Sequence, residues 1–159
     1  MTKEAKITDR FWEELQAKPV VMLGIAGDRD GHSQPMTAQF EGRLGPIWFF
    51  ADKDDDLYNI VGADSRAIFS YTATGHDVYA SVHGTIVQDV NRKVIDRFWN
   101  PTVAAWYEGG KDDPNLALLR FEPETAKIWL AASGIRTMAK AFFQGPKAAA
   151  QSMVAEVRL

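Results

Sequence analysis

His32-Ser33-Gln34-Pro35-Met36-Thr37-Ala38-Gln39-Phe40, a short turn, and then Pro46-Ile47-Trp48-Phe49-Phe50-Ala51-Asp52 is the stretch from which the fold is read. In the first half His32, Gln34, Met36, Ala38 and Phe40 face one way and Ser33, Pro35, Thr37 and Gln39 the other, the period of a strand. The second half is an aromatic run of high β-propensity. Together they read as two neighbouring antiparallel strands. Pro35 has no N–H to give a ladder, so its strand must be an edge, bulged, or locally unpaired at that point. Backbone groups at Met36 and Thr37 then become available to a ligand. A planar polar ring such as isoalloxazine suits this setting, with main-chain donors and acceptors at its rim and apolar side chains over its face. A plain edge strand is the alternative.

Upstream, 7–18 reads as a helix capped by Thr8 or Asp9, with Phe11, Trp12 and Leu15 on one face and Pro19 as its stop. The apolar run 20–26 has the look of a strand buried on both faces, and Asp28-Arg29-Asp30-Gly31 turns it into the proline strand. Downstream, Asp52-Lys53-Asp54-Asp55-Asp56 is a loop with helix-capping aspartates, and Leu57, Ile60 and Val61 mark a short helix. Strands are expected at 66–74 and 78–87, with Gly84 inside the second signalling a bulge or a close backbone approach. Helices follow at 91–99 and after Pro101, then a polar loop at 108–115. Strands at 116–122 and 126–132 are separated by a Pro123-Glu124-Thr125 turn. A helix at 135–143 ends at Gly145-Pro146, a further turn follows Lys147, and a short strand spans 154–159. Six to eight strands arriving as hairpins, with helices between them and at the ends, predict one domain over 1–159. The expected class is mainly β (α+β), a small closed or split antiparallel β-barrel with peripheral helices.

Composition narrows the function. The net charge of -3 gives no electrostatic reason to expect nucleic acid. Cysteine is absent, which removes disulfides, thiolate metal sites and thiol nucleophiles. No apolar run approaches the roughly 20 residues of a membrane span, and the charged start does not read as a signal peptide, so a cytoplasmic protein is expected. His32, His76 and His83 lie in separate segments without metal spacing; His32, beside the proline strand, is the best proton donor of the three. The aspartate runs lack the spacing of a calcium loop, and neither a nucleophile elbow nor a dinucleotide fingerprint is present. No residue stands out as a catalytic acid or base. Five Trp and nine Phe are many for this length. Trp99, Trp106, Tyr107 and Trp129 belong to the core and a subunit interface, or reach over a partner's ligand.

The ordered set Pro35-Met36-Thr37, Ile47-Trp48-Phe49-Phe50, Tyr79 to Thr85, Phe98-Trp99-Asn100-Pro101, Trp106 to Pro114 and Ile128-Trp129 resembles the general stress protein branch of the pyridoxamine 5′-phosphate oxidase-like flavoproteins. The likeness runs from the first helix to about Leu130, and the segment from Trp99 to Pro114 is its most specific mark. It implies a split β-barrel, a homodimer, and FMN at the dimer interface. By position, Gln34, Pro35, Met36 and Thr37 would line the flavin and its ribityl chain, and Phe50, Ala51, Asp52 and Lys53 would flank the ribityl phosphate. Trp99, Trp106 and Trp129 would come from the other subunit or the pocket wall. Two positions depart from the pattern: Gln34 stands where many relatives have arginine, and Leu57 where many have lysine, both phosphate-binding positions. Lys53 and backbone N–H groups near Asp55 are the expected substitutes. The resemblance implies transfer of hydride or electrons between a reduced nicotinamide and a small-molecule oxidant, or flavin binding without turnover; with Gln34 and Leu57 at the basic positions, a barrel that holds another planar ligand is the third reading. Oxidation of pyridoxamine phosphate itself is not expected, because Ser152 to Leu159 offers one arginine, Arg158, instead of a basic segment.

Overall fold

Thr2, rather than Thr8 or Asp9, caps the first helix: its hydroxyl accepts from the Ala5 N–H, and α1 runs Lys3–Ala17. The computed structural model describes residues 2–28, 30–131 and 154–159. The expected helix at 135–143, its Gly145-Pro146 stop, the turn after Lys147, and Arg29 of the first hairpin lie outside the described residues. Ile7, Phe11, Trp12 and Leu15 fall on one stripe of α1 and are buried against the sheet.

The strands are β1 (Val20–Ile25), β2 (Gln34–Thr37), β3 (Ile47–Asp52), β4 (Arg66–Thr72), β5 (Val78–Gln88), β6 (Leu116–Leu130) and β7 (Val154–Arg158). Between them lie α2 (Asp56–Ile60), α3 (Arg92–Phe98), α4 (Pro101–Ala104) and a 3₁₀ turn at Gly110–Asp112. The order across the antiparallel sheet is β2-β1-β4-β5-β6-β3, with β7 added to β6. β1 is not buried on both faces. Val21 and Leu23 point into the core while Val20 and Met22 are 56% and 42% exposed, the alternation of a strand with one open face.

β6 is one strand where a turn at 123–125 was expected. Its pairing with β5 shifts register between His83 and Gly84, so Glu124 is the extra residue of a bulge, as Gly84 in a strand foretells. Pro123 sits beside that bulge, where β6 also exchanges its other neighbour: β3 pairs it up to Phe121, and β7 from Thr125. Such a place in a long strand tolerates proline. The bend lets a single strand serve both halves of the barrel.

Phe11, Phe49, Phe69 and Phe121 fill the interior, with the Phe69 and Phe121 rings 5.4 Å apart edge to face. A second cluster lies outside the barrel, where α3 and α4 pack Val94, Ile95, Val103, Phe98 and Trp99 onto Trp48, Phe50 and Leu118. Asn91 caps α3 and Asn100 caps α4, the latter followed by Pro101 at the first helical position. This cluster holds the chain from Asn100 to Tyr107 against the seam between β2 and β3. No helix among the described residues is long and apolar enough to cross a membrane.

Candidate functional site: the seam between β2 and β3

The two ends of the sheet meet at one bridge, Gln39 with Trp48, which exchange both main-chain hydrogen bonds at 2.8 Å. β2 and β3 are therefore not laddered neighbours: β2 pairs with β1 and β3 with β6. Extending the bridge's register would set Thr37 opposite Phe50 and Pro35 opposite Asp52. Instead the strands splay, and all four residues line a crevice of about 580 Å³.

Antiparallel alternation decides which main-chain groups face it. The Ala38 N–H donates to the Pro19 carbonyl at 2.7 Å, so Met36 and Gln34 also direct their main-chain groups to β1. Thr37 and Pro35, in register with Gln39, direct theirs the other way. Met36 thus offers no free backbone group, contrary to expectation, whereas the Thr37 N–H and C=O and the Pro35 C=O point into the crevice. Pro35 occupies a position whose N–H would have faced the gap, so it costs β1 no bond. On the opposite wall Phe50, in register with Trp48, presents its own N–H and C=O.

Tyr107 closes the back of the crevice. Its hydroxyl donates to the Ala51 carbonyl at 2.7 Å, and burial, followed by the fields of Asp52, Asp113 and Asp55, pushes its pKa up to about 12. Stability should fall between pH 10 and 12, because the unfolded chain releases this proton and the folded chain does not. Tyr107→Phe should reduce that slope and cost about 1 kcal/mol at neutral pH, read by urea unfolding. Asp52 and Asp55 supply the crevice's formal charge, and no lysine or arginine lines it among the described residues. Both carboxylates are engaged locally. Asp52 accepts from the Asp54 N–H, and Asp55 caps α2 through Leu57 while receiving the Gln34 side-chain amide at 2.5 Å.

Of the residues expected at a site, Pro35, Met36, Thr37, Phe50, Ala51, Asp52 and Trp106 come together around this crevice. Gln34 stands behind it, tied to Asp55. Lys53 is exposed and does not line it, its main-chain N–H going to Asn115. Leu57 is 4% exposed and belongs to the core, which explains an apolar residue there. Of the α2 N–H groups expected to help Lys53, that of Leu57 is taken by the Asp55 side chain. Trp99 packs between Phe50 and Tyr107 outside the lining, and Trp129 lies elsewhere, half-exposed on β6 opposite Tyr79. Asp55, Asn100 and Val103 were not anticipated as wall residues, and Tyr107 was named only among the aromatics assigned to the core, an interface or a partner's ligand. For Asn100 the Asn-Pro cap signal was available. None of the three histidines lines the crevice, and no metal-binding cluster occurs among the described residues.

Residues 6–154 match the model of the family described as pyridoxamine 5′-phosphate oxidase like. General stress protein 26 of Bacillus subtilis (strain 168) is 35% identical over 125 residues, 77% of this chain and 87% of that protein. A crystal structure assigned to the general stress family, from Xanthomonas campestris pv. campestris, is 49% identical over 85% of this chain and 94% of its own, with a TM-score of 0.78. The general stress FMN/FAD binding protein of Xanthomonas citri is 48% identical over 82% of this chain and 93% of its own, with a TM-score of 0.77. A barrel open along one seam, in a chain matched nearly end to end, makes this protein a member of the pyridoxamine 5′-phosphate oxidase-like family and of its general stress branch.

Proposed function

We propose that the protein binds a flavin, with FMN the reference ligand, and seats its ring in the seam between β2 and β3. One observation carries this reading: the main-chain groups of Thr37 and Phe50 are directed into the gap instead of at each other. A flavin rim carries carbonyl acceptors and an imide N–H, which these groups complement. The volume lies within the usual range for small-molecule sites. The Xanthomonas citri relative is named for FMN and FAD binding. The residues fit the ring; they do not fit its phosphate, since the described lining offers carboxylates and no cation.

A bound flavin supplies hydride or electron transfer through its ring. The chain contributes orientation and apolar cover from Phe50, Val103 and Tyr107, and the titratable side chains on the described lining are Asp52, Asp55 and Tyr107. A homodimer is part of the proposal. Val20, Met22, Tyr79 and Trp129 stand half-exposed or more on the outer face of the sheet, an apolar set suited to a second copy.

Purified protein should be yellow, or take up flavin on titration, with the absorbance released on denaturation. A preparation that ignores added flavin sinks the proposal. Thr37→Pro removes the donor facing the crevice without breaking a bond to β1, and should weaken flavin binding about tenfold. Thr37→Ala keeps that N–H and should stay within about threefold of the parent. Oxidation of NADH or NADPH above the rate of free FMN would assign catalysis; tight binding without it would assign a storage or sensing module.

A further inference from the structure

We infer that the crevice recognises the flavin ring and not the phosphate, so riboflavin, FMN and FAD are alike to it as ligands. This rests on the flavin reading of the same seam and specifies the ligand class. Among the described residues, the main-chain groups of Pro35, Thr37 and Phe50 aim into the crevice, the side chains of Gln39, Asn100, Thr102 and Tyr107 add neutral polar groups to its lining, and its charged side chains are Asp52 and Asp55. A dianionic phosphate inside the crevice meets two carboxylates. That setting does not reward the charge, whereas an arginine fork would.

The side chain at the position nearest to providing such a fork, Gln34, is neutral and already spends its amide N–H on Asp55. Asp55 in turn is fixed as the cap of α2, so the carboxylate cannot withdraw without freeing the Leu57 N–H. The acidic end of the crevice is thus built into the fold. A site that ignores the phosphate is also open to a flavin whose phosphate is esterified, which accords with a relative named for both FMN and FAD.

The test is equilibrium titration of the full apoprotein with riboflavin, FMN and FAD, followed by flavin fluorescence at low and high salt. The expected result is three affinities within about threefold, with riboflavin at least as tight as FMN, and FMN gaining on riboflavin as salt screens the carboxylates. Asp52→Asn with Asp55→Asn, where asparagine keeps the cap, should raise the FMN-to-riboflavin affinity ratio by about threefold to tenfold. If that pair folds poorly, Gln34→Arg should move the ratio in the same direction by about tenfold. FMN binding tenfold or more tighter than riboflavin in the parent protein would overturn the inference and leave the flavin reading standing. A ratio unmoved by salt and by these variants would overturn it as well. Binding of none of the three ligands would remove the flavin reading, and this inference with it.

Discussion

Gly84→Ala should lower the stability of the folded chain by about 3 kcal/mol, in the upper range for overpacking. A Cβ placed on Gly84 would lie 2.1 Å from the Glu122 carbonyl oxygen and 2.9 Å from its carbon. Both are backbone atoms of β6, held by the ladder to β5 on this side and close to the β3 ladder on the other. A side chain could rotate away; a paired strand cannot without loss of hydrogen bonds. Gly84 does not have a positive φ, so the cost is steric and owes nothing to left-handed backbone. For a chain of this length about 3 kcal/mol corresponds to a fall in Tm of roughly 6–12 °C. Thermal unfolding checks it, and a Tm within about 2 °C of the parent would show that the strands separate more easily than this packing implies. If the seam seats a flavin as proposed, its affinity should drop too, because the same bulge carries β6 from β3, a wall of the crevice, to β7.

That bulge also shows what the sequence discloses and what it hides. Glycine within an alternating strand announces a close approach, because a missing Cβ is a local property. Its counterpart, the extra residue at Glu124, is not local: Pro123-Glu124-Thr125 has turn composition, and only pairing with β5 and the change from β3 to β7 keeps it extended. The seam divides in the same way. The proline strand and the aromatic strand were legible as strands interrupted in their pairing, since Pro35 has no N–H to give a ladder. Which main-chain groups face the gap was not legible, because it follows from where β1 pairs, fixed by Ala38 and Pro19. Side-chain alternation sets Met36 on the face opposite Pro35 and Thr37 but says nothing of where its N–H points. The aspartates were readable as caps, yet the placing of Asp55 beside Gln34, 21 positions apart, needs the fold. Tyr107 reaches the crevice through α3 and α4 packing outside the barrel, an arrangement their stripes allow but do not specify.

Phe121→Ala should cost about 4 kcal/mol, the largest effect expected of any single truncation in this core. The ring is fully buried at the junction of three strands, touching Phe69 edge to face at 5.4 Å and Phe49 at 6.5 Å. Its loss removes transfer energy and leaves a cavity walled by two other rings that are themselves fully buried, so little can collapse into it. Urea unfolding measures the loss, and a cost below about 2 kcal/mol would mean that the neighbouring rings close the space. The tip of the same ring lies 3.0 Å from the position of a Gly84 Cβ, which makes the two sites a test of each other. Phe121→Leu withdraws that tip at a smaller cost and leaves the Glu122 carbonyl where it is. If the carbonyl sets the penalty of Gly84→Ala, the double variant should be less stable than Phe121→Leu alone by most of that penalty, with a coupling under about 1 kcal/mol. A coupling that cancels the penalty would move the constraint from backbone to ring, and the bend of β6 would then be a matter of packing and not of strand separation.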